Sequence, residues 1–233
     1  MLRRLALPLM WLAIWTQVAW GQVAFDAATT GTALNTNTLT FSHTVGAGGT
    51  NRLLTVGVSF DNRAVTGVTY AGTAMTNIGT AANAPASASL WRLTAPATGA
   101  NDVAITMNGG GVNIVGCAIS LTGVDQTTPV GTGATATGAT SPATVNVSSA
   151  TDEMVVDIVG VENQTATAGA GQTDRCNALA DINRGAGSTE AGAGTVTMSW
   201  TLGADAAWAI VGVSAKVAAA GGPPARMRQG IGR

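Results

Sequence analysis

After residue 21 the chain alternates short runs of β-branched and apolar residues with clusters of Gly, Asn, Pro and Ser, and no long stretch carries a capped apolar stripe at helical spacing. That pattern constrains the fold more than any other feature. In TLTFSHTV (38–45), Leu39, Phe41, His43 and Val45 share one face, and Thr38, Thr40, Ser42 and Thr44 the other. In TVTMSWTL (195–202), Val196, Met198, Trp200 and Leu202 likewise oppose Thr195, Thr197, Ser199 and Thr201. Side chains that change character every second residue belong to strands with one wet and one dry face.

Further strands read at 23–27, 52–60, 65–70, 87–94, 102–107, 112–124, 143–148, 153–162 and 207–217. The runs 153–162 and 207–217 are apolar on both faces, the mark of strands covered above and below. GTGATATGATSP (131–142) is small and uncharged and reads as a long surface loop. A parallel β-helix would show a regular short repeat, and none is visible. The expectation is an all-β fold: a two-sheet antiparallel β-sandwich, jelly-roll-like, with about a dozen strands, in a single domain over residues 22–217. Composition agrees: 31 of 233 residues are Gly and only 10% are charged, which separates the chain from disordered sequences with high charge and few β-branched residues.

Residues 1–21, MLRRLALPLMWLAIWTQVAWG, have a basic start, an apolar run from Leu5 to Trp15, and small residues at Ala19 and Gly21. This is the pattern of a secretory signal peptide cut before Gln22. The run falls short of the roughly 20 residues that span a bilayer, and it contains Pro8. The mature chain is therefore expected to be secreted, extracellular or at a cell surface, and not an integral membrane protein. Export places Cys117 and Cys176 where disulfides persist. Cys117 shares a strand face with Val115, Ile119 and Leu121, whereas Cys176 lies in the polar, loop-like GQTDRCNAL. The two can bridge only if that segment folds over the sheet, so a disulfide and two separate thiols both stay open.

Of the eleven Lys and Arg residues, Arg3 and Arg4 belong to the leader and Arg226, Arg228 and Arg233 to the tail 218–233, which is expected to be flexible and basic. Six remain against twelve Asp and Glu, so the body carries a charge near −6 and offers no footprint for nucleic acid.

His43 is the only histidine, which excludes a two-His metal site within one copy, and neither HExxH nor G-x-S-x-G occurs. A packed, hydrogen-bonded histidine is the favoured reading. Glu153 and Asp157 share a strand face about 13 Å apart, beyond the roughly 5–10 Å of glycosidase carboxylate pairs, and Glu162 falls on the other face. Asp157 is instead expected to pair with an arginine or with backbone N–H groups.

Asp61, Asp181 and Asn183 put oxygens at loop positions and are weak calcium candidates, outside any EF-hand register. No other cofactor is expected. Trp91, Trp200 and Trp208 follow the apolar phase of their strands and read as core. Tyr70 ends a strand with its phenol expected at the surface, and Tyr70, Asp125 and Arg175 are put forward as weak ligand contacts.

Five segments occur in order: GVTYAGTAMTNIG (67–79), SLWRLTAPATGANDVAIT (89–106), SLTGVDQTTPVG (120–131), GAGQTDRCN (169–177) and TVTMSWTL (195–202). Together they resemble a widespread β-sandwich module of unknown function found in exported bacterial and virion-associated proteins. The resemblance spans nearly the whole mature chain and implies a jelly-roll-like fold with a role in surfaces or assemblies. It supplies no catalytic residues, and Cys176 stands where it would place an aromatic residue.

The functional expectation is a secreted, non-enzymatic structural or adhesive module, with a surface glycan or other copies of itself as partners. A carbohydrate-binding domain and a virion surface or decoration protein are the alternatives. A glycoside hydrolase or lyase is least favoured.

Overall fold

The computed structural model describes residues 21–61 and 63–219. The expected leader, save Gly21, and the tail beyond Ala219 lie outside the described residues. The first half of the body holds β1 (Ala24–Thr36), β2 (Thr38–Val45), β3 (Leu53–Phe60), β4 (Val65–Tyr70), β5 (Thr73–Ala74), β6 (Thr76–Asn83), β7 (Ala86–Thr94), β8 (Gly99–Met107) and β9 (Val112–Thr122). The second holds β10 (Ala134–Gly138), β11 (Ala143–Ser148), β12 (Met154–Glu162), β13 (Ala166–Ala168), β14 (Thr173–Ala180), β15 (Asn183–Ala191), β16 (Thr195–Leu202) and β17 (Trp208–Ala215). No helix long and apolar enough to cross a membrane occurs among the described residues.

The all-β antiparallel sandwich expected from the sequence forms, with more strands and more layers than expected. Seventeen strands make four sheets, ordered β1-β9-β3-β7-β6, β2-β8-β4-β5, β10-β17-β12-β15-β14 and β11-β16-β13. The orders repeat. Replacing β1, β9, β3, β7 and β6 by β10, β17, β12, β15 and β14 converts one five-stranded sheet into the other, and β2-β8-β4 becomes β11-β16-β13 in the same way. The body is a duplicated topology, which the sequence did not reveal.

Three apolar cores hold the layers. Leu90, Ile119 and Leu121 of the first five-stranded sheet meet Ile158, Val211 and Val213 of the second in the centre. On the far side of the first, Val56, Val58, Phe60 and Ile114 pack against Leu39, Val103 and Ile105. On the far side of the second, Val155, Val159 and Ile210 pack against Val145, Val147, Met198 and Trp200. A sheet covered on both faces needs strands apolar on both faces, which is why 153–162 and 207–217 read as they do.

Three stretches depart from the sequence reading. Residues 131–142 are not all loop, because Ala134–Gly138 pairs with β17 as an edge strand. The segment around Cys176 is strand β14 rather than loop, and Cys176 is buried in the central core. It is bridged to Cys117 of β9, with Cα atoms 5.8 Å apart, so the disulfide ties the two halves together across the interior. Finally β15, NRGAGSTEA, lies inside its sheet, with Gly185 to Ser188 fully enclosed. A Cβ on Gly185 would stand 2.7 Å from Cβ of Val115, and one on Gly187 2.9 Å from Sγ of Cys117. The two five-stranded sheets approach so closely there that only small residues fit.

Candidate functional site

At one end of the molecule β3 and β12 both finish, and Asp61, Pro85, Glu162, Ile182 and Asn183 line a shallow notch of about 160 Å³ that is shared with open solvent. The duplication explains its composition. Asp61 follows β3 and Glu162 ends β12, equivalent strands, while Pro85 and Ile182 sit in the equivalent β6–β7 and β14–β15 turns. Each half contributes one acid and one apolar side chain.

The calcium candidates, far apart in sequence, meet here around Asn113, the second residue of β9. Its backbone N–H donates to Oδ1 of Asp61 at 3.0 Å, and its side-chain Nδ2 to Oδ2 of Asp61 at 3.3 Å and Oδ2 of Asp181 at 3.5 Å. Its carbonyl accepts from Nδ2 of Asn183 at 2.9 Å, and its Oδ1 from the backbone N–H of Asn35 at 3.2 Å. Oδ1 of Asn183 in turn accepts from the Ser59 hydroxyl at 2.8 Å. Asn113 thus pins the ends of β1, β3, β14 and β15 together. The sequence signal for it was a lone amide inside an apolar strand, and it went unread. Among the described residues no group of three or more His, Cys, Asp or Glu is arranged to hold a metal ion.

Two further polar centres lie between layers. Asp157 is fully buried and accepts from the backbone N–H of Ser188 at 2.8 Å, the Ser188 hydroxyl at 2.7 Å and Nε1 of Trp200 at 2.7 Å. Burial nevertheless pushes its pKa up to about 7, outweighing these three donors. Nε2 of Gln172 donates to the Ser188 hydroxyl at 2.7 Å, and the backbone N–H of Ser199 to Oε1 of Gln172 at 2.7 Å, so a polar chain links β12, β15 and β16.

His43 is buried in the other half, with Nδ1 3.0 Å from the Thr29 hydroxyl and the Tyr70 ring edge-on to it. Its Nε2 has no hydrogen-bond partner. Burial holds its pKa below the usual value, against the pull of Asp26.

The three proposed ligand contacts do not converge. Tyr70 is buried rather than exposed, its hydroxyl within 3.2 Å of the His43 carbonyl and 3.1 Å of the Gly99 carbonyl, because a strand-end phenol that finds backbone acceptors inside is better satisfied there. Asp125 is a turn former: Oδ1 accepts from the N–H groups of Thr127 and Thr128, both at 2.7 Å, and these bonds hold its carboxyl below the ordinary value. The Arg175 guanidinium lies 3.6 Å over the Phe25 ring, and its Nε donates to Thr189 at 2.9 Å. Glu153 forms an ion pair with Lys216 at 2.9 Å. Burial opposes its ionisation, but bonds from Ser214, Lys216 and Ala150 together hold its pKa below normal.

Trp200 and Trp208 are core, and Trp91 is partly buried with Nε1 bonded to Ser89. Comparison with protein-family models, curated proteins and solved structures gives no match to this chain.

Proposed function

We propose that this chain is a non-enzymatic structural or adhesive module of an exported surface or assembly. One observation carries the reading: the outward faces of the two outer sheets are flat fields of small hydroxyl and amide side chains. On β2, Thr38, Thr40, Ser42 and Thr44 are all exposed. On β16, Thr195, Thr197 and Thr201 are exposed, beside Asn146 and Ser148 of β11. Such faces offer broad, weakly charged contact with another surface, and most polar groups of the notch are engaged in holding strand ends together.

The Cys117–Cys176 bridge supports an oxidising compartment. The test is adsorption of the purified chain to cells and polysaccharide particles, together with its mass in solution. A chain that binds neither cells nor particles and shows no affinity for its own copies would sink the reading.

A further inference from the structure

Among the described residues the exposed large hydrophobic side chains are Leu34, Leu179 and Ile182, and all three lie at the notch end. Leu34 precedes Asn35, whose N–H reaches Asn113, and Leu179 and Ile182 flank Asp181, which Asn113 also reaches. Asp61, Glu162 and Asp181 stand among them. The salt bridge found among the described residues, Lys216–Glu153, lies at the other end, so none of these three acids has an ionic partner there. Arg184 at this end is engaged by the Gln164 carbonyl and Oδ1 of Asn177.

The chain departs from the opposite end. β17 starts at Trp208 beside the notch end and runs away from it, and Val217 and Ala218 are then held by Val124 and Gly123. Beyond Ala219 the sequence is AGGPPARMRQGIGR (220–233), with Arg226, Arg228 and Arg233, no acidic residue, and Met227 and Ile231 between the charges. Cations interleaved with apolar side chains face acids interleaved with apolar side chains.

We infer that residues 223–233 of one copy dock on the Asp61–Glu162–Asp181 end of the next, joining copies head to tail; the inference rests on the structural reading above. Docking within one copy is disfavoured by reach. The eight residues of β17 alone rise roughly 27 Å. The seven residues from Ala219 to Arg226 span at most about 25 Å even when straight. A contact between unlike surfaces at opposite ends does not close on itself unless the rotation between copies permits a ring, so the product is an open filament or a ring.

Sedimentation of residues 22–233 tests this. The weight-average mass rises with protein concentration at low salt and falls to that of one copy at about 0.5 M NaCl, where charges are screened within a few ångströms. Deleting 220–233 removes the association. Glu162→Arg alone, and Arg226→Glu with Arg228→Glu, each weaken it by roughly tenfold or more, and mixing these two variants restores it. Unchanged thermal unfolding of each variant shows that folding is intact.

Association that persists without 220–233 or at high salt overturns the inference and leaves the structural reading standing. A full chain that stays a single copy, while a 220–233 peptide binds the truncated protein, overturns it in favour of docking within one copy. A single copy under all conditions that also adsorbs to nothing removes both.

Discussion

The two halves share one strand order but fill their outer interlayers with opposite chemistry. Between the first five-stranded sheet and its cover lies a buried base, His43, with one ring nitrogen unpaired; between the second and its cover lies a buried acid, Asp157, with three donors. Val56 and Asp157 stand at equivalent places, each five residues before the notch residue, Asp61 or Glu162, and each faces an outer cover. A methyl-lined site and a carboxylate thus occupy the same slot. The lesson is that topology fixes which positions are enclosed, whereas their chemistry is free to differ as long as each polar group finds partners.

The largest effect expected is from cutting the link between the halves. The bridge spans 59 residues, so Cys117→Ser with Cys176→Ser lowers stability by about 4 kcal/mol on loop-closure grounds. Calorimetry then distinguishes one transition from two, and separate melting of the halves shows that the bridge, not the central core alone, couples them.

Asp157→Ala comes next. It leaves the Trp200 and Ser188 donors unpaired in the interior and costs roughly 3 kcal/mol in denaturant titrations.

The pH responses sharpen the contrast because they oppose each other. Asp157 has a folded pKa of about 7 against an ordinary 3.8, so the folded state holds a proton the unfolded chain has lost. Its stabilising contribution is complete below 3.8 and is lost as pH rises towards 7, at up to about 1.4 kcal/mol per pH unit. His43 is depressed below 6.5, so the unfolded chain takes its proton first and stability falls as pH drops below that value. Across pH 5–6.5 the two slopes offset each other. Asp157→Asn is expected to show stability rising with pH through that window, and His43→Gln stability falling. Two variants with the same slope would refute the assignment.

Smaller effects test the layers. Gly185→Ala pushes a methyl into Val115 and costs about 1–3 kcal/mol, read as a lower melting temperature. Thr197→Val on the open face of β16 changes stability by less than about 0.5 kcal/mol.

Strands with strict alternation, such as 38–45 and 195–202, were legible because one wet and one dry face leave a period-2 trace. The double-sided runs 153–162 and 207–217 declared that they were covered twice. The strand β15 left no such trace, since Gly185, Ala186, Gly187 and Ser188 carry no β preference; their place comes from the near approach of Val115 and Cys117. Of the notch, Asp61, Asp181 and Asn183 were singled out for their oxygens, but Asn113, which joins them, was not. Tyr70 was expected outside and lies inside.

By itself the sequence determined the all-β class, the enclosed strands and the scarcity of reactive side chains, because each depends on local periodicity and residue type. Tertiary structure alone decided the duplication, the Cys117–Cys176 pairing and the gathering of Asp61, Glu162 and Asp181 at one end. Those depend on which distant strands become neighbours, and that is set by sheet-to-sheet packing distance, which no short window of residues records.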